Sequence, residues 1–317
     1  MARFSVTEAA TAGFGIVGRR PLVVAGWAIA LVAALVLPAL LCIAMLGPRF
    51  VEIMQLAAQQ KGQAGDPEAL DRMMRLNSGL TGFNMLYWLW STFVKAVFCG
   101  AAFRAVLTPE KAAWAYLRIG SREMWLALVM LVEQVLLFIA VFVMALVIAV
   151  VAAIAAVGAG DHQTGGAIAV AGVGGAIAVV LVIWVALRLS MAGPMSFADN
   201  QFRLFESLDL TKGQTWRLLG VALLVILFLV VMEMLLAGLI GGVVLAGGGS
   251  LAALQGSANL DALFRRPPIE ILRVLWPWLT SLGVVVALFG AVAQAVFYAP
   301  WAFIHRALAR PRETAWL

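Results

Sequence analysis

The chain has 317 residues, of which 64% are hydrophobic and 12% charged, with a mean hydropathy of +1.01. A soluble domain carries about 25% charged residues, so this composition excludes a water-soluble globular protein and makes a lipid bilayer the solvent. The net charge of +6 and the pI of about 9.9 are read as contact with an anionic membrane surface, not with nucleic acid.

In chain order, Ser5-Val-Thr-Glu8 fits a capping box, and Val6, Ala10, Phe14 and Val17 then share one helical face. This predicts a short helix lying in the interface. Arg19-Arg20-Pro21 is a positive flank to the first apolar run, 21–46. A polar connection over 47–78, with a short helix around Asp66-Pro67-Glu68, leads to the second run, 79–107. Thr108 then caps a helix starting at Pro109, with Ala113, Tyr116 and Leu117 on one face beside Trp114. Runs at 124–157 and 165–198 follow, then a third short helix presenting Leu204, Phe205 and Leu208. The last runs, 216–246 and 271–303, flank a turn at Gly247-Gly-Gly-Ser250. All six exceed the ~20 residues that cross ~30 Å of hydrocarbon, so each is predicted to span as a helix. Pro194 and Pro300 should bend the ends of the fourth and sixth spans. Glycines at 165, 166, 172, 174, 175, 238, 241 and 242 should let helices approach closely.

A pattern recurs about every 100 residues. Gly-centred junctions occur at Phe14-Gly-Ile-Val-Gly18-Arg19-Arg20, Tyr116-Leu-Arg118-Ile-Gly120-Ser-Arg122 and Asp209-Leu-Thr-Lys212-Gly213-Gln-Thr-Trp216. The second span of each unit closes on a Gly or Pro three residues before a Phe: Gly100 and Phe103, Pro194 and Phe197, Pro300 and Phe303. The expected fold is an all-α polytopic membrane bundle, a single membrane domain over 1–317. It comprises six transmembrane helices in three helix-pair units, approximately 5–107, 108–198 and 199–308, each preceded by a short cytoplasmic amphipathic helix.

Most basic residues, among them Arg19, Arg20, Arg104, Arg118, Arg122, Lys212 and Arg306, fall on the side of both termini, whereas acidic residues divide evenly. The positive-inside rule places that side, with both termini, in the cytoplasm, and the expected location is the bacterial inner membrane. Cys42 and Cys99 lie in spans, and His162 and His305 fall on opposite sides, so no disulfide framework, metal site or cofactor is expected.

The segment Arg188-Leu-Ser-Met-Ala-Gly-Pro194, followed by Phe205-Glu-Ser-Leu-Asp-Leu-Thr-Lys-Gly-Gln-Thr-Trp-Arg217, resembles a pattern in the membrane domain of membrane-anchored glycerophosphodiester phosphodiesterases and their YciC-like bacterial relatives. The motif covers about a tenth of the chain, and the six-span layout extends the similarity over nearly all of it. The resemblance implies a membrane part associated with lipid metabolism. The chain stops about a dozen residues beyond the last span, so the phosphodiesterase activity is not carried over.

Ionisable residues inside spans each cost several kcal/mol unless paired, snorkelling or facing water. Lys95, Glu133 and Arg188 each sit ~15 Å from a cytoplasmic span end at 1.5 Å per residue. Arg188 and Gln294 stand nine residues before the Phe of their units, and Lys95 eight before its own. Lys95, Arg188, Gln294 and Glu133 are therefore a candidate phospholipid headgroup site, with Gln134 and Glu233 as further intramembrane polar groups; internal ion pairing that fixes helix order explains the same residues. Arg19, Arg20, Arg122, Lys212 and Trp216 are candidates for interfacial or partner-docking contacts. The expected function is non-enzymatic binding or movement of anionic phospholipid in membrane homeostasis. Its alternatives are a scaffold that recruits an enzyme or transporter through the amphipathic segments, and, less favoured, a membrane-embedded enzyme.

Overall fold

A computed structural model describes residues 4–36, 67–109, 113–158, 163–246 and 267–313, with scattered positions between 38 and 52. Among the described residues the chain is all helical. The elements are α1 (Val6–Arg19), α2 (Pro21–Leu31, continuing into a π-helical turn Val32–Val36), α3 (Pro67–Leu107), α4 (Ser121–Gly158), α5 (Gln163–Leu189), α6 (Ala192–Asp199), α7 (Glu206–Leu210), α8 (Thr215–Ala246) and α9 (Pro268–Glu313). Five segments are long and apolar enough to cross a membrane: Thr81–Leu107, Ser121–Ile154, Ala169–Asp199, Thr215–Gly242 and Leu282–Ala309. The bent pair α1 and α2 makes a sixth if counted as one span. Large apolar side chains such as Phe138 and Phe142 on α4, Val180 on α5 and Met234 on α8 are exposed, as a lipid-facing surface requires. The chain therefore has the makings of a multi-pass membrane protein.

α1 begins as expected, with Ser5 Oγ accepting from the Glu8 N–H at 3.5 Å. It buries one face, Ala9, Ala10, Gly13 and Ile16, against α8 and α9 and leaves Thr7, Glu8, Thr11 and Gly15 exposed. Phe14 meets Phe228 edge to face at 5.2 Å. A Cβ on Gly13 would fall on the backbone of Val296 and Ala295, so only glycine allows this approach. The axis then turns by 94° into α2. Pro21 disfavours helical geometry at the residue before it, and Arg20 accordingly sits at φ −142°, ψ 60°. The corner is therefore made at Arg20, while Gly18 stays inside α1. Of the three junction glycines only Gly213, at φ +76°, uses the left-handed region.

The other two short segments depart from expectation. After Thr108 the chain forms a 3-10 turn, Ala113–Tyr116, with Tyr116 fully buried. In the third, Leu204 is buried and Phe205 is exposed, so they do not share one apolar face. The helix foreseen near Asp66 is the start of α3, which runs unbroken from Pro67. α5 and α6 are separated by a turn at Ser190–Met191, just ahead of Pro194, whereas α9 remains helical through Pro300. Most of 37–66, the turn 247–250 and His162 lie outside the described residues.

Close packing also has a different source from the one expected. Around Gly172, Gly175, Gly238, Gly241 and Gly242 no neighbouring atom comes within 4 Å of a built Cβ, and Gly174 is tight against Ile148; the surroundings of Gly165 and Gly166 lie outside the described residues. The close approach runs instead along a stripe of α9, where Ala287, Ala291, Ala295, Ala299 and Ala302 are buried at 0–6% exposure. Small side chains at helical spacing let α1, α2 and α3 approach this helix. The core divides accordingly. One cluster joins α2, α3 and α9 around Trp27, Phe98 and Phe103. The other joins α1, α8 and α9 around Phe4, Leu218 and Ile304. Both lie toward the end of the bundle where Arg104, Arg122 and Arg306 gather, and where the site is found.

Candidate functional site

α3 stops at Leu107 because Thr108 precedes Pro109 and the chain turns back. The returning loop is held from several sides. The Tyr116 hydroxyl donates to the Pro109 carbonyl at 2.7 Å, and the Trp27 indole donates to the Ala115 carbonyl at 2.7 Å. Arg104 Nη1 donates to the Tyr116 carbonyl at 3.0 Å, and the Arg20 guanidinium lies 5.2 Å from the Tyr116 ring centre. These contacts hold Ala115 at φ 53° and Tyr116 at φ 63°. Left-handed geometry in two successive non-glycine residues costs of order 1–3 kcal/mol each and persists only where the surroundings over-determine it.

The loop delivers the chain to α4, whose first turn carries Glu123. That carboxylate is completely buried and accepts from Arg104 Nη2. Its place in the first turn lets the helix dipole favour the negative charge. The other oxygen, Oε2, has no hydrogen-bond partner, and neither has the buried Nη1 of Arg20. Arg104 and Arg122 both face the buried Phe197 ring, at 5.3 and 5.6 Å from its centre, within cation–π range. Phe103 packs edge to face on the same ring at 5.6 Å. Gly100 completes the fit, since a Cβ there would stand 2.8 Å from Glu123 Oε1.

Outside the ion pair opens a cavity of about 260 Å³ lined by Arg104, Thr108, Arg118 and Arg122. Glu123 balances one of the three cations, leaving two positive charges at the mouth. Such a cavity can hold an anion of phosphate size, with guanidinium forks suited to paired hydrogen bonds to its oxygens.

A second set of polar contacts closes the end of α5. The Arg188 carbonyl accepts from Ser207 Oγ at 2.6 Å and from Thr211 Oγ1 at 3.2 Å, so α7 satisfies a helix terminus. The Ser121 hydroxyl bonds Asn200 Oδ1 at 2.9 Å, and Asn200 is the left-handed cap of α6.

The headgroup residues proposed from the sequence do not line the arginine cavity, whereas Arg122, proposed as an interfacial contact, does. Lys95 is exposed on α3, Glu133 is half-buried on α4 and within electrostatic reach of Cys99, and Gln294 is half-buried on α9. The Arg188 guanidinium lies 5.8 Å from the Trp184 ring centre, with its buried Nε unpartnered. No hydrogen bond or ion pair joins these four residues to one another. Gln134 is half-buried and Glu233 exposed. Of the interfacial candidates, Arg19, Lys212 and Trp216 are exposed, while Arg20 and Arg122 belong to the cavity's surroundings. Sequence reasoning missed Arg104, Arg118 and Glu123 as site residues, although the first two stand inside the recurring anchor and junction. The available signal was three arginines and a glutamate closing a short loop between two spans.

Comparison with family models, with curated proteins and with solved structures gives no match.

Proposed function

We propose that this chain is a bacterial inner-membrane protein, with both termini in the cytoplasm, that binds the headgroup of anionic phospholipid. The observation that carries the reading is the cavity formed by Arg104, Thr108, Arg118 and Arg122 at the ends of two candidate spans. Basic residues enriched at this end fit a cytoplasmic face, whose leaflet carries anionic lipid that attracts them. Two uncompensated guanidinium groups match one phosphate group, and the preformed ion pair beneath them keeps the cavity from collapsing. The role is non-enzymatic binding, with movement of lipid as its extension, in membrane lipid homeostasis.

The test is native mass spectrometry with lipid analysis on gently solubilised protein, comparing wild type with an Arg118→Gln/Arg122→Gln variant of unchanged thermal stability. Stoichiometric anionic lipid on wild type and its loss from the variant is the expected result. Equal, unselective lipid on both refutes the reading. The scaffold reading draws on a separate observation, the exposure of Phe205 (64%) and Trp216 (83%) near Lys212. It predicts a co-purifying protein that Lys212→Glu releases and Arg122→Gln does not.

A further inference from the structure

A second cavity, of about 430 Å³, adjoins the first. It lies between α2 and α3, with Ala30 and Ala34 on one wall and Trp90, Val94 and Phe98 on the other, and it shares Arg118 with the arginine cavity. Its size falls within the ~300–1,000 Å³ of ligand pockets. Arg118 is the one charged side chain on its described wall. The groove has a physical cause in the sequence: alanines at 30 and 34 leave a furrow on α2 opposite the bulky face of α3. At its far end the Trp90 indole donates to the Ala34 carbonyl at 2.6 Å. That carbonyl lies in the π-helical turn Val32–Val36, where the widened helix disturbs the usual backbone bonding.

We infer that the two cavities form one amphiphile site, in which a phospholipid places its phosphate on Arg118 and Arg122 and one acyl chain along the groove between α2 and α3. The inference rests on the headgroup reading above and adds where the tail lies. The partition between the cavities is the segment Leu117 to Ile119, which follows the clamped Tyr116. Because Tyr116 is held by Arg104, Arg20 and its own hydroxyl bond to Pro109, the partition is fixed. Arg118 can then lay its aliphatic stem along the apolar wall while its guanidinium faces the polar side, the snorkelling geometry of a residue at a lipid headgroup level. The buried Nη1 of Arg20, whose guanidinium lies against the Tyr116 ring, is a donor without a partner, polar capacity of the sign that an anion satisfies. From Trp90 to Phe98 the helix rises ~12 Å at 1.5 Å per residue, a run suited to an extended hydrocarbon chain and not to a bare inorganic anion.

The experiment uses the full chain in phosphatidylcholine nanodiscs doped with phosphatidylglycerol that carries a photoreactive diazirine in one acyl chain. Adducts are mapped by peptide mass spectrometry, and glycerol 3-phosphate binding is measured in parallel as a probe of the head alone. The expected result is labelling of α3 between Trp90 and Phe98, competed by unlabelled phosphatidylglycerol. Filling the groove with Val97→Trp should lower that labelling about tenfold, equivalent to 1.4 kcal/mol, and leave glycerol 3-phosphate binding unchanged. Ala30→Phe serves the same purpose from the opposite wall if Val97→Trp fails to fold. Arg122→Gln should weaken both signals. Labelling that persists in the filled variants, or that a phosphatidylcholine analogue reproduces equally, shows a groove bathed by bulk lipid and overturns the tail placement while the headgroup reading stands. Binding of glycerol 3-phosphate without any groove labelling shows a site for free phosphate compounds and also overturns it. Absence of binding by every anionic probe overturns the headgroup reading itself.

Discussion

Arg104 donates to one carboxylate oxygen of a fully buried Glu123, while the second oxygen of the same carboxylate has no partner. The pair is thus both a support and an unspent acceptor, and it sets the charge of the cavity above it. Removing one partner of a buried pair typically costs ~3–5 kcal/mol because the other is left uncompensated.

Glu123→Gln should therefore separate stability from ligand retention. An amide keeps one hydrogen bond to Arg104 but leaves three guanidinium charges where there were two net. Thermal unfolding in detergent should shift downward by an amount corresponding to ~2–4 kcal/mol, within the cost of an imperfectly satisfied buried cation. Anionic lipid retained by the folded fraction should rise. A fall in both quantities shows that the carboxylate helps to shape the site and does not only restrain its charge.

Gly13 and Gly15 form a matched pair. Alanine at Gly13 collides with the α9 backbone, and overpacking of this kind costs ~1–3 kcal/mol. Around Gly15 a Cβ meets nothing within 4 Å, so Gly15→Ala should stabilise the helix by ~0.5–1 kcal/mol. Melting curves of the two variants should move in opposite directions; equal shifts contradict the packing of α1 on α9.

Ala115→Gly should be tolerated or mildly stabilising, since glycine adopts φ 53° without the ~1–2 kcal/mol penalty of a Cβ in left-handed geometry. Tyr116→Phe, which loses the bond to the Pro109 carbonyl, should lower stability by ~0.5–1.5 kcal/mol. Limited proteolysis in the 108–120 loop reads the outcome directly, with slower cleavage expected for Ala115→Gly and faster for Tyr116→Phe.

Lys95→Gln should leave the retained anionic lipid unchanged, because Lys95 is exposed and lines neither cavity. Arg122→Gln should reduce it. Lipid analysis of the two variants side by side decides between the arginine cavity and the layer of Lys95, Glu133 and Arg188 first suggested by span depth.

The spans were legible because continuous apolar runs of this length have few alternatives, and five of the six runs overlap the segments long and apolar enough to cross a membrane. The capping of α1 by Ser5 was also local, readable from a few neighbouring residues. The seat of α1 was not, because the face it buries is Ala9, Ala10 and Gly13, and small residues carry little hydropathic signal until their partner, the alanine stripe of α9, is known. The site escaped for a related reason. Arginines at span ends satisfy a simple topological role, so nothing in their spacing shows that Arg104 turns inward to Glu123. Phe103 and Phe197, noted as equivalent anchors, proved to touch, a contact that periodicity alone could not predict. The left-handed turn at Ala115 and Tyr116 is imposed by distant Trp27 and Arg20 and has no glycine to announce it.

The packing of α1 has a consequence for how the molecule is made. α1 docks chiefly against α8 and α9, which follow it far along the sequence, so this docking spans most of the described chain and is a late event of high contact order. Until α9 is in the bilayer, the small-residue face of α1 has no partner. α1 must therefore wait with its small-residue face unpacked while the intervening helices insert. A chain arrested before α9 should leave α1 open to proteases, and insertion of α9 should be the event that protects it.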